Sequence, residues 1–370
     1  MATQEEDRNL TPSDGDLIVN TDLGYPICIG EDTRPAIVSF LEHRAQPFVV
    51  LCDDHPTVVK LARRIARDRK SLGCIPVPLG EARKRMSTLE AVHERLLKAG
   101  ADRGTLVLGV GGGVASDLFG FAAATYMRGV PYVHVGTTLV AMVDASIGGK
   151  TGVDLRSGKN LAGVFADPVA VFAHTGALQT LPYRTLREGL AEVLKAAIIE
   201  GHEFFEAIES LSPHAFWRWP WLEIVAQAIK VKTMIVVDDR QESGMRELLN
   251  LGHTFGHALE AASGYRVGHG AGVALGLRAA GLLALRTGRF SEEEHLRVLA
   301  TMALLGMPLT TTVGVAAALS AMQSDKKKRA GHLRFVLPRA IGDVEYGVAV
   351  SERLIRAVLA ALRRPPEDLG

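Results

Sequence analysis

Two histidines four residues apart, His253 and His257, are well suited by type and spacing to bind a divalent metal ion. They stand in the segment RELLNLGHTFGHALEAASG together with Arg246 and Asn250. On one continuous helix these four side chains would form a single polar stripe, with leucine and alanine covering the other faces. A buried polar stripe leaves hydrogen-bond donors without partners unless something fills the space beside it. The pattern therefore predicts a metal or ligand site.

Further metal ligands are available on either side of this segment. His269 follows in GYRVGHGAG, and Glu192 in REGLAEVLKAAII offers carboxylate oxygens. Lys195 stands three residues after Glu192, so the two side chains share one face of a predicted helix. That spacing is equally typical of a weak surface ion pair, and the two interpretations stay open at this point.

A glycine-rich turn predicts a phosphate-binding site in the first half of the chain. Gly111, Gly112 and Gly113 follow the apolar run TLVLGV and open the helical segment ASDLFGFAAA. Backbone N–H groups at such a helix start can bind an anion. The third glycine of GxGxxG is missing, so a tight turn without a ligand is the alternative. Asp117, in the first turns of that helix, is a candidate nucleotide contact or a partner of the helix dipole.

A second polar segment, GTTLVAMVDASIGGKTGVDLRSGKN, concentrates candidate phosphate-binding groups. It is not a Walker motif, because Asp144 occupies the place of the first required glycine. Charged and amide side chains in a glycine-rich loop still predict a phosphate cradle, and a solvated loop is the alternative. The candidates are Thr137, Thr138, Asp144, Lys150, Lys159 and Asn160, joined further along by Lys230 and Lys232 and by the run Lys326, Lys327 and Lys328.

The composition describes a soluble globular chain without features of a nucleic-acid-binding protein. Its 370 residues are 47% hydrophobic, and 42 Lys+Arg nearly balance 41 Asp+Glu, for a net charge of +1. Three separated cysteines indicate neither a disulfide framework nor a thiolate metal site, which favours a cytoplasmic location. Residues 1–16 are polar and predict a flexible tail. The uncharged stretch 298–324 predicts two short helices separated near Gly306 and Pro308 rather than a membrane span.

These residues must be positioned by an α/β domain followed by a helical one. Short apolar runs alternate with helical periods from PFVVLCD to YVHVGTT, which predicts a mostly parallel sheet of the Rossmann-like type. Strand signals nearly vanish after Leu186. We therefore predict a nucleotide-binding α/β domain over 17–182 and an α-helical metal- and substrate-binding domain over 183–370.

The motifs taken together resemble the 3-dehydroquinate synthase family of sugar phosphate cyclases. VDASIGGKTGV, SGKN, GLAEVLK and LLNLGHTFGHALE match central motifs of that family, and the resemblance runs from about Val19 to Gly347. PLGEARK keeps Glu81 and Lys84 where the family contacts NAD, and SDKKKR keeps its Asp-Lys-Lys.

The resemblance implies NAD and a divalent ion, zinc or cobalt, as cofactors of a shikimate-pathway lyase. It places the ion on Glu192, His253 and His269, whereas spacing alone nominates His257 as a ligand. It implies that Lys150, Lys195, His257 and Asp144 are catalytic. It also implies a homodimer, because Arg128 would reach the substrate phosphate of the neighbouring subunit. Implied substrate contacts are Arg128, Lys150, Asn160, Lys232, Arg246, Asn250, His257, Lys326 and Lys327; implied NAD contacts are Asp53, Glu81, Lys84, Gly111, Gly112, Gly113, Asp117, Thr137, Thr138, Asp144, Lys150, Lys159 and Thr180.

Three departures from the family pattern and three rival functions accompany the resemblance. Gly136 replaces a common proline, Ala115 and Ser116 vary the turn before Asp117, and Ala271 stands where a glutamate is common. The rivals are a sister cyclase acting on another sugar phosphate such as sedoheptulose 7-phosphate, a metal-dependent alcohol dehydrogenase, and a non-catalytic binding protein.

Overall fold

The computed structural model describes residues 10, 12, 15–240, 244–326 and 333–366. Most of the predicted tail lies outside them, as do Lys327, Lys328 and the side chain of Lys326. The chain divides into two compact units, one of Met1–Pro182 with Pro220–Thr233 and the other of Tyr183–Trp219 with Met234–Gly370. No helix of the described residues is long and apolar enough to cross a membrane.

The first unit is built on a seven-stranded, mostly parallel sheet. Its strands are β1 (Leu17–Val19), β2 (Ile27–Gly30), β3 (Phe48–Asp53), β4 (Ser71–Val77), β5 (Leu106–Gly111), β6 (Tyr132–Gly136) and, after a hairpin of β7 (Lys150–Leu155) and β8 (Gly158–Phe165), β9 (Ala170–His174). The strand order is β1-β2-β9-β6-β5-β3-β4, and only β1 pairs antiparallel. The predicted parallel sheet is confirmed.

Alternating side chains of the central strands fill two hydrophobic clusters, one on each face of the sheet. Val49 and Leu51 of β3 belong to one cluster, and Val50 and Cys52 belong to the other. This is the two-residue period of a strand that is buried on both faces. The helices that cover the faces are α1 (Arg34–Arg44), α2 (Pro56–Ile65), α3 (Met86–Lys98) and α4 (Gly113–Thr125).

The order in which successive strands are added to the sheet changes side at β3. Strand β4 lies on one side of β3 and β5 on the other, so the helices that follow β3 and β5 leave in opposite directions. The carboxyl ends of β3 and β5 are Asp53 and Gly111. A ligand crevice in an open parallel sheet forms at such a switch point.

The second unit is mainly helical, as the sequence predicts. Its helices are α5 (Tyr183–Glu200), α6 (His202–Glu209), the last residues of α7 (Trp221–Asp238), α8 (His253–Ala262), α9 (His269–Arg286), α10 (Glu292–Leu304), α11 (Val315–Lys326) and α12 (Glu352–Ala361). The predicted break between two short helices is confirmed, because α10 ends just before Gly306 and Pro308. An additional hairpin, β10 (Arg334–Ala340) and β11 (Asp343–Ala349), turns through Gly342.

Helices α8 and α9, which carry His253 and His269, approach each other backbone to backbone. A Cβ atom added to Gly276 of α9 would overlap the carbonyl oxygen of Gly252, and one added to Gly256 of α8 would lie 2.8 Å from the carbonyl oxygen of Gly272. Because the atoms in contact belong to the main chain, no side chain can rotate away to make room for an added atom.

We expect Gly276→Ala to lower the free energy of unfolding by about 1–3 kcal/mol, because the added methyl group forces the two backbones apart. Urea unfolding followed by circular dichroism measures the change. Gly314→Ala is the matched control, since a Cβ there meets nothing within 4 Å. Equal unfolding midpoints for the two variants would contradict the close approach.

Candidate functional site

The polar stripe predicted on one helix is divided between two elements. Arg246 and Asn250 lie in a 3-10 helix, Met245–Asn250, and α8 begins only at His253. Gly252 has φ +80°, the left-handed conformation, and its backbone lies against α9. The prediction of a single continuous helix is therefore wrong, because a glycine that adopts this conformation ends one element and redirects the next.

Three groups from three helices come together in the second unit as a candidate metal site. Nε2 of His253 lies 3.5 Å, and Nε2 of His269 lies 3.1 Å, from the same oxygen, Oε1 of Glu192. The donor atoms of all three residues lie within 4.8 Å of one another. This is the set implied by the family resemblance. His257 belongs to a second possible group, with Glu260 and His269.

Hydrogen bonds at the other ring nitrogens orient both imidazoles. Nδ1 of His253 lies 3.2 Å from the carbonyl oxygen of Leu251, and Nδ1 of His269 lies 3.2 Å from Oε1 of Glu260. When each Nδ1–H donates to these acceptors, the Nε2 atom beside Glu192 is the one that can lose its proton and bind a metal ion. Two neutral imidazoles and one carboxylate are a donor set that suits zinc or cobalt.

Sequence reasoning missed Glu260, which is 2% exposed. One signal could have found it. Glu260 stands seven residues after His253 on α8, which places both side chains on one face of the helix. A carboxylate on the face of a metal-binding histidine is a common device for fixing the second imidazole.

The charges of the site are strongly coupled. Burial by itself raises the pKa of Glu192, but Lys195 and the two histidines lower it well below the usual range. Burial lowers the pKa of His269, while its hydrogen bonds to Glu192 and Glu260 outweigh that effect and raise it to about 10. The buried carboxylates thus stabilise positive charge at the place where a cation would sit.

Lys195 forms a buried ion pair rather than a surface one. Its Nζ lies 2.5 Å from Oε2 of Glu192, and the two side chains are 5% and 1% exposed. Of the two interpretations of the Glu–Lys spacing, the weak surface pair is excluded. A buried pair holds its charges in a fixed geometry at a cost in desolvation, which suits a role in a site more than a role in stability.

Three more candidates of the second unit lie on α8 and on the 3-10 helix before it: His257, Arg246 and Asn250. His257 is exposed, and its ring centroid lies 5.3 Å from that of His253. Arg246 is 2% exposed and donates from Nη1 to the carbonyl oxygen of Arg240 at 2.6 Å. Asp239, which the sequence did not single out, accepts from the backbone N–H of Arg246 at 3.1 Å.

The glycine turn in the first unit forms the start of α4 as predicted. Gly111 ends β5, Gly112 precedes the helix, and Gly113 begins it. A Cβ on Gly112 would lie 3.0 Å from Cγ2 of Thr138, and the N–H of Thr137 donates to the carbonyl oxygen of Gly111 at 2.9 Å. Because the glycines have no side chains, the backbone of the turn stays accessible beside both threonines. It lies at a helix N-terminus, where an anion is favoured.

A buried lysine brings three of the candidates together. Lys84 is 4% exposed, its Nζ lies 2.5 Å from Oδ2 of Asp117, and it also donates to Oδ1 of Asn160. Burial raises the pKa of Asp117, and Lys84 opposes that rise. An expected substrate contact, Asn160, thus shares one cluster with two expected NAD contacts.

Two further ion pairs lie among the candidates of the first unit. Nζ of Lys159 lies 2.7 Å from Oε1 of Glu81. Nζ of Lys232, in α7, lies 2.5 Å from Oδ1 of Asp144 and donates to the Asp144 carbonyl oxygen at 2.6 Å. Asp144 itself lies in a π-helical turn, Ala141–Ala145. Such turns are frequent at functional sites.

The other candidates of the first unit lie at the ends of elements. Asp53 ends β3, where burial raises its pKa, and Lys150 begins β7. Thr180 ends a 3-10 turn and donates to the carbonyl oxygen of Ala177. Arg128 is exposed and has φ +72°. Lys327 and the Lys326 side chain lie outside the described residues.

Comparison with known proteins gives the same family for both halves of the chain. Residues 74–188 match the family described as 3-dehydroquinate synthase N-terminal, and residues 189–328 match 3-dehydroquinate synthase C-terminal. The 3-dehydroquinate synthase of Gloeobacter violaceus is 40% identical over 351 residues, which are 92% of this chain and 96% of that protein.

Two solved structures of related cyclases share the fold. A 2-deoxy-scyllo-inosose synthase in complex with carbaglucose-6-phosphate, NAD+ and Co2+ is 25% identical with a TM-score of 0.84, covering 92% of this chain and 98% of its own. A 2-epi-5-epi-valiolone synthase from Streptomyces hygroscopicus with NAD+ and Zn2+ bound is 28% identical with a TM-score of 0.83, covering 94% and 98%.

We expect His253→Ala and His269→Ala each to lower bound Zn2+ or Co2+ to near background, because each removes one of three converging donors. Metal content after dialysis against the ion measures this. His202→Ala is the control, since His202 is an exposed histidine on α6 of the same unit. Full metal content in both ligand variants would disprove the site.

Proposed function

The chain belongs to the 3-dehydroquinate synthase family, and we propose that it converts 3-deoxy-D-arabino-heptulosonate 7-phosphate into 3-dehydroquinate and inorganic phosphate. The observation that carries the proposal is the convergence of Glu192, His253 and His269, with both Nε2 atoms turned toward one carboxylate oxygen. The reaction class is a carbon–oxygen lyase acting on a phosphate ester.

NAD and a divalent ion, Zn2+ or Co2+, are the proposed cofactors. When bound, NAD takes up and returns a hydride while the metal polarises the oxygens of the reacting alcohol. Glu192, His253 and His269 would hold the ion. The glycine turn at Gly111–Gly113, with Asp53 at the neighbouring strand end, would hold the nucleotide.

The remaining steps need charge stabilisation and proton transfer by the chain itself. Oxidation of a secondary alcohol makes the adjacent C–H acidic, phosphate leaves by β-elimination, and an aldol step closes the carbocycle after the ketone is reduced. We assign the phosphate to Lys150 and Asn160 and the substrate carboxylate to Arg246 and Asn250. We assign proton transfer to His257, which is exposed, and stabilisation of developing charge to Lys195 and the Asp144–Lys232 pair.

We also propose a cytoplasmic homodimer in which Arg128 reaches the substrate phosphate of the second copy. The exposure of Arg128 and of apolar residues on the β7–β8 hairpin supports this, since Leu161 is 43% and Phe165 is 61% exposed. With a net charge of +1, the chain has no excess positive charge for binding nucleic acid.

A sister cyclase acting on a sugar phosphate without a carboxylate is the second candidate. The two solved cyclases, 25% and 28% identical to this chain, support it. The relative that is 40% identical is named 3-dehydroquinate synthase, which favours the first candidate. The retained Lys195 argues against the branch that acts on amino analogues, which tends to lose this lysine.

We expect phosphate release without accumulation of NADH, because oxidation and reduction use the same bound nucleotide. The assay supplies the heptulosonate phosphate, trace NAD and Co2+, and follows free phosphate together with absorbance at the NADH band. One NADH formed per turnover would instead indicate an alcohol dehydrogenase.

We expect Arg246→Lys to lower kcat/KM for the heptulosonate phosphate, because lysine cannot form two parallel bonds to a carboxylate. The corresponding loss of transition-state stabilisation is roughly 2–5 kcal/mol. The substitution should lower kcat/KM for sedoheptulose 7-phosphate, which lacks the carboxylate, much less. Arg286→Lys is the control, because Arg286 is exposed at the end of α9. Equal losses on both substrates would mean that Arg246 does not bind the carboxylate, and a wild type that prefers sedoheptulose 7-phosphate would indicate the sister cyclase.

A further inference from the structure

The helix that begins with His269 lacks an acceptor of its own for its first N–H groups. The residue before it, Gly268, has no side chain, and the first turn of α9 contains no acidic residue. Ala271, the third residue of the helix, offers no acceptor either. A glutamate at that position usually satisfies a free N–H group and interacts favourably with the helix dipole.

A carboxylate from another helix occupies this role. The backbone N–H of Gly270 donates to Oε2 of Glu188, on α5, at 2.5 Å. The two glycines beside His269 let the chain lie against Glu188. A Cβ on Gly268 would be 2.9 Å from Oε1 of Glu188, and one on Gly270 would overlap the Glu188 carbonyl oxygen. The contact therefore depends on Glu188 in α5 and on the two glycines at the start of α9.

Glu188 and Glu192 stand one helical turn apart on the same face of α5. They contact consecutive residues of α9, because Glu192 Oε1 lies 3.1 Å from Nε2 of His269 while Glu188 binds the N–H of Gly270. Two carboxylates of one rigid helix thus fix both the imidazole of His269 and the backbone that carries it.

We propose that Glu188 is a positioning residue for the metal ligand His269, replacing from α5 the acid that is absent at Ala271. The inference rests on the proposed metal site. Without the Glu188 carboxylate the first turn of α9 loses its acceptor, and its backbone can shift relative to Glu192. Loss of a group that orients a metal ligand typically weakens metal binding 10–100-fold.

The test measures Co2+ affinity by competition with a chelator, together with the visible absorption spectrum of bound Co2+, which reports ligand geometry. We expect Glu188→Ala to weaken Co2+ binding about 10–100-fold and to change the spectrum. Glu188→Gln, which keeps an oxygen acceptor but no charge, should lie between it and the wild type. Ala271→Glu, added to Glu188→Ala, should restore most of the affinity and the wild-type spectrum.

Glu200→Ala is the matched control, since it removes an exposed carboxylate at the far end of the same helix. Wild-type affinity and spectrum in Glu188→Ala would overturn the positioning role, and so would an equal loss in Glu200→Ala. Wild-type protein that binds no Co2+ would refute the proposed metal site itself, a result separate from either of these.

Discussion

A buried carboxylate, Glu192, organises the polar groups of the second unit. An ionised carboxylate removed from water must be paired, and its partners must be held in place by the rest of the fold. Lys195 approaches one of its oxygens, and the imidazoles of His253 and His269 approach the other. Helices α5, α8 and α9 are therefore arranged so that a lysine and two histidines face a single side chain.

The same principle governs the first unit on a smaller scale. Lys84 is a buried cation, and its partners Asp117 and Asn160 come from α4 and β8. Asn160 adopts φ +53°, and its own N–H donates to Asp154 at 2.8 Å. A strained residue held by two specific contacts is typical of a site whose geometry matters more than its stability. Among the described residues, the ion pairs with the least exposed cations, those of Lys84, Lys195 and Lys232, thus lie where chemistry is proposed.

The sequence predicted those features that depend on local periodicity. The alternation of apolar runs and helical periods gives the parallel sheet, and Gly306 with Pro308 separates α10 from α11. Hairpin β10–β11 was missed because its two strands stand among helical segments. The single-helix stripe failed because nothing in the local spacing shows that Gly252 adopts a left-handed conformation.

The partners of the residues in the candidate metal site were beyond sequence reasoning for a different reason. Spacing nominated His257 and offered His269 as a further candidate, and the family resemblance favoured His269 over His257. Contacts such as Glu188 with Gly270, or Lys84 with Asn160, join residues separated by 82 and 76 positions, so no window of the sequence contains both members. Only the tertiary fold brings such pairs together.

The backbone contact between α8 and α9 sets how this chain can vary. Their separation at Gly252 and Gly276 depends on main-chain atoms and not on the volume of side chains. Apolar residues elsewhere around the two helices can be exchanged for others of similar size while the distance between the two imidazoles is preserved. Substitutions in the hydrophobic core can therefore accumulate without changing the geometry of the candidate metal site. The constraint falls instead on a few glycines that take no part in the proposed chemistry.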